Sequence, residues 1–174
     1  VTPLEEDDRP PRRPRHSKLS PPPICGGCGK PAKLVDARSL GAKPVRAKRR
    51  AIWRCDDCSA HVGCHPGTTR PLGTLAPASV RRARQDVHDL IDPLWKSAPD
   101  HYPGGFASGQ SEIMRMARER VYSFLGDRLG LPRDRCYVGE FDLATCKRAI
   151  LALEGVTYPQ IREHSHRRLR SGVG

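Results

Sequence analysis

With 174 residues, 37% of them hydrophobic and 5% aromatic, beside 17 prolines and 16 glycines, the chain has material for one modest domain or two small ones and too little for a continuous core. Its formal net charge of +12 points to a polyanionic partner, most often nucleic acid, unless the arginine excess is compositional and scattered. No apolar run approaches the length that spans a bilayer, which excludes a membrane partner of that kind.

Residues 1–24 pass from an acidic cluster (Glu5, Glu6, Asp7, Asp8) through Pro10, Pro11, Arg12, Arg13, Pro14 and Arg15 to Pro21, Pro22 and Pro23. So much proline denies the segment helix or sheet, and almost nothing in it can be buried, so it reads as a disordered arm. The start fits neither a signal nor a transit peptide. A reducing, cytoplasmic setting is expected, where paired cysteines serve as metal ligands sooner than as disulfides.

Residues 25–70 read as a zinc ribbon. Cys25 and Cys28 form one Cys-x-x-Cys hook and Cys55 and Cys58 a second. Each hook offers two thiolates to one tetrahedral ion, so the pair describes a closed four-cysteine site for Zn2+ with no open position for catalysis. Glycines 26, 27 and 29 suit the tight first turn. Residues 32–35 and 51–54 are candidate strands, and the loop between them carries Lys43, Arg46, Lys48, Arg49 and Arg50 without an acid among them. Cys64, His61 and His65 are alternative ligands or, more simply, a small apolar residue and parts of a turn. Trp53 either stacks on a base or fills the small ribbon core.

Residues 71–155 read as a helical domain packed on the ribbon, a bundle of about three helices. Thr74 suits an N-cap, and a first helix then runs to Ile91, ahead of Pro93. Val80, Ala83, Val87, Leu90 and Ile91 recur at helical spacing, and Arg81, Arg84, His88 and Asp92 form a polar stripe. Residues 96–110 read as a loop. A second helix spans Ser111 to just before Gly130, with Ile113, Ala117, Val121, Phe124 and Leu125 inward. Asp142 caps a third, which carries Leu143, Cys146, Ile150 and Leu153 on one side and ends at Gly155. Residues 156–174 read as a basic tail. The fold expected is therefore small α+β, a ribbon followed by helices, with both ends disordered or tail-like.

The string Cys55-Asp-Asp-Cys-Ser-Ala-His-Val-Gly-Cys-His-Pro-Gly-Thr68, with Pro71-Leu-Gly-Thr-Leu-Ala76, Arg81 to Arg84, His88, Asp92, Leu94, Trp95, Cys136-Tyr-Val-Gly-Glu-Phe-Asp142 and Cys146, resembles a bacterial and phage family known as a zinc-finger-containing domain. The likeness covers roughly residues 25–153. It implies Cys25, Cys28, Cys55 and Cys58 as zinc ligands and implies no activity. Tyr137 stands where the family is expected to have a histidine, and Ile91 where an aromatic residue is expected.

Three functions follow as expectations. The first is a non-enzymatic nucleic-acid-binding protein, DNA preferred, whose phosphate contacts are Lys43, Arg46, Lys48, Arg49, Arg50, Arg81 and Arg84. The second is a module that binds a protein partner in host transcription or replication machinery. The third is a nuclease or other hydrolase built on His88 and Asp92, one helical turn apart. No small-molecule substrate is indicated.

Overall fold

A computed structural model describes residues 20–37, 51–102 and 109–170. Three short strands, β1 (Lys33–Asp36), β2 (Ala51–Arg54) and β3 (His61–Gly63), form an antiparallel sheet in the order β1-β2-β3. Alternation along the strands sends Trp53 and Val62 to one face, where both are buried. They pack there with Cys25, Ala32, Cys55, Ala60, Cys64 and Leu75. Three of those eight side chains are thiols, so this cluster is a thin core that needs further support.

After β3 the chain turns at residues 65–70 and returns alongside it. Leu72 N–H donates to Gly63 O at 2.8 Å, and the main chains of His61 and Ala76 exchange bonds of 3.2 and 3.3 Å. This return delivers the chain to four helices: α1 (Ala78–Lys96), α2 (Gln110–Leu129), α3 (Leu143–Leu153) and α4 (Tyr158–Arg170). Ala83, Val87 and Ile91 of α1, Val121, Phe124 and Leu125 of α2, Cys146, Ala149 and Leu153 of α3 and Ile161 of α4 share one buried cluster. A smaller one joins Ala98, Ile113, Ala117 and Tyr158.

Several boundaries differ from expectation. The first helix begins at Ala78 with Pro77 at its N-cap, because Thr74 is used elsewhere: its N–H and hydroxyl both face Gly139 O. The helix also continues through Pro93 to Lys96. The proline ring is exposed there, and Leu94 and Trp95 beyond it pack against the core and hold the last turn in place. In α3 the buried stripe is Cys146, Ala149 and Leu153, while Leu143 is 39% exposed. Asp142 does cap that helix, accepting from Thr145 N–H at 2.7 Å. Within the segment read as a loop, Ala98–His101 form a 3-10 turn.

The segment expected to be a basic tail is helical over 158–170. Thr157 and Gln160 make the side-chain arm of a capping box: Gln160 Oε1 accepts from the Thr157 N–H at 2.8 Å and from its hydroxyl at 3.0 Å. Docking of α4 on α2 is both apolar and ionic. Tyr158 and Ile161 are buried, and Arg168 reaches both carboxylate oxygens of Asp127 at 2.7 and 2.8 Å. At the N-terminal end, residues 20–24 lie against the ribbon and not in a free arm. Ser20 N–H donates to Thr69 Oγ1 at 2.9 Å, and Ile24 bridges to Pro31. The rest of the expected disordered arm, residues 1–19, lies outside the described residues. No described helix is long and apolar enough to cross a membrane.

Candidate metal centre

Each hook closes as the same turn. Cys25 N–H donates to Lys30 O at 2.9 Å and Gly29 N–H to Cys25 O at 2.8 Å; Cys55 N–H donates to Ala60 O at 2.8 Å and Ser59 N–H to Cys55 O at 3.0 Å. The residue after the second cysteine must adopt positive φ, and does so as Gly29 (72°) and as Ser59 (58°). Gly26 and Gly27 are not in that region, and Asp56 and Asp57 occupy the equivalent places in the second hook. Only one of the three glycines thus meets a backbone demand.

The two turns face each other across the end of the β1–β2 hairpin. Cys25 Sγ lies 3.4 Å from Cys58 Sγ, and Cys28 Sγ 3.3 Å from Cys55 Sγ. All four sulfurs fall within 4.8 Å of one another. A tetrahedral ion with metal–sulfur bonds of about 2.3 Å separates its sulfurs by about 3.8 Å, so the quartet fits such an ion with small adjustments. Cys25 and Cys55 are buried, while Cys28 and Cys58 face solvent.

Local dipoles favour thiolates on the buried pair. The Gly27 amide, opposed by burial and aided by Cys58 and the Cys28 amide, lowers the Cys25 thiol below its ordinary range. At Cys55 the Cys58 amide and the Cys28 thiol bring the value down to about 7. Outside the sulfurs, Lys30 pairs with Asp57 at 2.6 Å and Lys33 pairs with Asp56, crossing from the first turn and β1 to the second turn. Exposed pairs of this kind contribute little individually, but they tie the hooks in register.

Cys64, His61 and His65 do not join the cluster. Cys64 is 5% exposed, sits 3.5 Å from Thr69 O and has its thiol pushed up by burial, which is the behaviour of a small core residue. His61 Nδ1 lies 3.3 Å from Ser59 O, and His65 forms the turn whose carbonyl accepts from Thr68. Trp53 is 3% exposed and donates from Nε1 to Thr69 O at 2.7 Å, so it is the ribbon's core and not a stacking platform.

The residues expected on phosphates divide into two sets. Lys43, Arg46, Lys48, Arg49 and Arg50 lie outside the described residues. Arg81 and Arg84 are part-buried and turned onto the protein itself. Arg81 Nη1 donates to Ala76 O at 2.8 Å; Arg84 donates to Phe141 O, Thr74 O and Thr74 Oγ1 at 2.8 to 2.9 Å. Arg84 thereby joins the chain leaving the ribbon to the chain entering α3. His88 is half-buried, and its near neighbour Asp92 is held by Lys96 Nζ at 2.7 Å and Trp95 Nε1 at 3.2 Å.

The junction of the two parts has features that sequence inspection missed. Gly73, at φ 152°, packs so closely on Gly139 that a β-carbon would sit 2.1 Å from Gly139 O. Tyr137 braces the same crossing by donating to Leu72 O at 3.0 Å. On the far side of the bundle, Arg120 Nη1 donates to Tyr102 and Tyr158 hydroxyls at 2.8 and 3.0 Å.

A four-sulfur ribbon carrying a helical bundle defines a small metal-centred protein of α+β architecture. Residues 22–155 match the family described as a zinc-finger-containing domain, and the chain belongs to that family. No curated protein and no solved structure matches it.

Proposed function

We propose that the chain is a zinc-binding, non-enzymatic protein of bacterial or phage type that acts in the cytoplasm by docking on nucleic acid, with DNA preferred. The observation that carries the reading is the four-thiol quartet. Cys25, Cys28, Cys55 and Cys58 would hold Zn2+, for which an all-sulfur tetrahedral donor set is characteristic. An ion so held is coordinatively closed, and what it contributes is rigidity to a ribbon whose own core is thin.

The sequence between β1 and β2 supplies Lys43, Arg46, Lys48, Arg49 and Arg50, and a net charge of +12 supports a polyanion as what these cations meet. Arg81 and Arg84 contribute less to this contact, since their guanidinium groups already serve carbonyls of the chain. The hydrolase alternative is weakened because Asp92, the carboxylate one helical turn from His88, is committed to Lys96 and Trp95.

The test is binding of the zinc-loaded chain to a fluorescently labelled DNA duplex and to single strands. Affinity should fall steeply, by roughly 10- to 1,000-fold, between 50 and 200 mM salt as condensed counterions are released. No binding to any DNA or RNA at low salt contradicts the reading. A protein captured from nuclease-treated host lysate in its place moves the function to the protein-partner alternative.

A further inference from the structure

Where the ribbon meets the bundle, beside the Gly73–Gly139 crossing, the surface opens into a cleft of about 520 Å3. That volume lies in the range of roughly 300–1,000 Å3 typical of small-ligand sites. The turn that leaves β3 supplies His65 and Arg70 to it, and the connection from α2 to α3 supplies Arg133, Asp134, Tyr137 and Glu140. Two strings that the sequence singles out, 55–68 and 136–142, thus meet in one concavity.

The charged groups there are of both signs, and most are uncommitted. Arg133 is taken by Glu119 at 2.6 Å. The side chains of His65, Arg70, Asp134 and Glu140 make no hydrogen bond or ion pair with another described residue. Arg70, Asp134 and Glu140 are exposed and His65 is half-buried, so a ligand can reach all four. Tyr137 is 36% exposed, yet its ring is fixed in place. The hydroxyl donates to Leu72 O at 3.0 Å, and a β-carbon on Gly139 would meet the ring at 2.8 Å. The ribbon therefore contributes a cation and an imidazole, and the bundle contributes two carboxylates and an immobile aromatic surface.

We propose that this cleft seats one nucleotide of a single strand whose base carries an exocyclic amino group, a role that rests on the nucleic-acid function above and adds a base preference to it. Arg70 and His65 take the phosphate, Tyr137 lies against the base, and the Asp134 and Glu140 carboxylates accept from the amino group. Carboxylates repel a phosphate but accept readily from an amino group, cytosine N4 being the usual case. A phosphate backbone running through the cleft would meet two like charges, whereas a nucleotide that enters base first meets complementary groups at both ends. The aromatic wall suits a flat heterocycle. Thymine, which offers O4 and no amino group, is the base that the cleft should reject.

The experiment measures anisotropy of labelled oligo(dC) and oligo(dT) strands of equal length with the full zinc-loaded chain, Arg70→Gln and an Asp134→Ala/Glu140→Ala double variant, from about 50 to 200 mM salt. Both strands carry the same phosphates, so the difference between them reports the base. Zinc content and melting temperature report folding of each variant. The wild type should bind oligo(dC) about tenfold more tightly than oligo(dT). Arg70→Gln should weaken both strands alike, by roughly fivefold, and make the log–log salt slope shallower by about one. The double variant should erase the preference without weakening oligo(dT), a pattern that general loss of folding does not give. Glu140→Ala alone stands in should the double variant fail to load zinc. Equal wild-type affinity for the two strands, or a preference that survives in the double variant, overturns the cleft and leaves the nucleic-acid reading standing. A wild-type chain that binds neither strand nor any duplex overturns both.

Discussion

The pseudo-symmetry of the two hooks reduces to one dihedral angle. Gly29 and Ser59 occupy the same place, with φ of 72° and 58°, and only the glycine is free of steric cost there. Replacing Ser59 by glycine should therefore raise the stability of the zinc-loaded chain by about 0.5–1 kcal/mol, whereas Gly29→Val should lower it by about 2 kcal/mol. Thermal melting of both variants checks this, and a Ser59→Gly chain less stable than wild type would show that the serine is held by more than backbone geometry. Gly26→Ala, by contrast, should be nearly neutral, since a β-carbon there meets nothing within 4 Å.

At the scale of elements, α1 shows how polar residues mislead. Arg81, Arg84, His88 and Asp92 were expected as a polar stripe, and spacing alone gives no sign that the first two turn inward to carbonyls. His88 offers a titration that reports its burial. Desolvation lowers its pKa, opposed by Asp92 and Asp89 and reinforced by Arg118. The folded state thus resists protonation more than the unfolded chain does. Its contribution is complete above the ordinary value of about 6.5 and is lost as pH falls through the lowered folded value. Between pH 6.5 and 5 the melting temperature should decline, and His88→Leu should flatten that decline. An unchanged profile in His88→Leu would place the titration elsewhere. The α4 helix, missed as a basic tail, was signalled by Thr157 and Gln160, a capping box ahead of Tyr158 and Ile161; four arginines in thirteen residues masked it.

At the scale of the molecule, the metal hooks and the β1–β2 hairpin were legible because ligand spacing and strand alternation are local. The α2 helix was legible for the same reason, from its periodic apolar face and Gly130, which closes it at φ 68°. What joins the parts was not legible, because it depends on residues 65 or 66 positions apart meeting. Gly73 and Gly139 allow two backbones to touch, with Thr74 N–H on Gly139 O at 3.0 Å and Arg84 bridging beside them. Gly73→Ala should cost about 3 kcal/mol or more, from combined clash and backbone strain. Denaturant unfolding measures this; a loss below 1 kcal/mol would mean that the crossing yields easily.

Both the ribbon's thin core and its proposed contacts depend on four sulfurs acting together. Elemental analysis of the purified full chain, with paired Cys25→Ser and Cys55→Ser variants, tests that dependence most directly. The expected result is one zinc ion per chain in the wild type, lost in both variants along with the buried environment of Trp53. A wild-type chain without stoichiometric metal, or variants that retain it, would contradict the account.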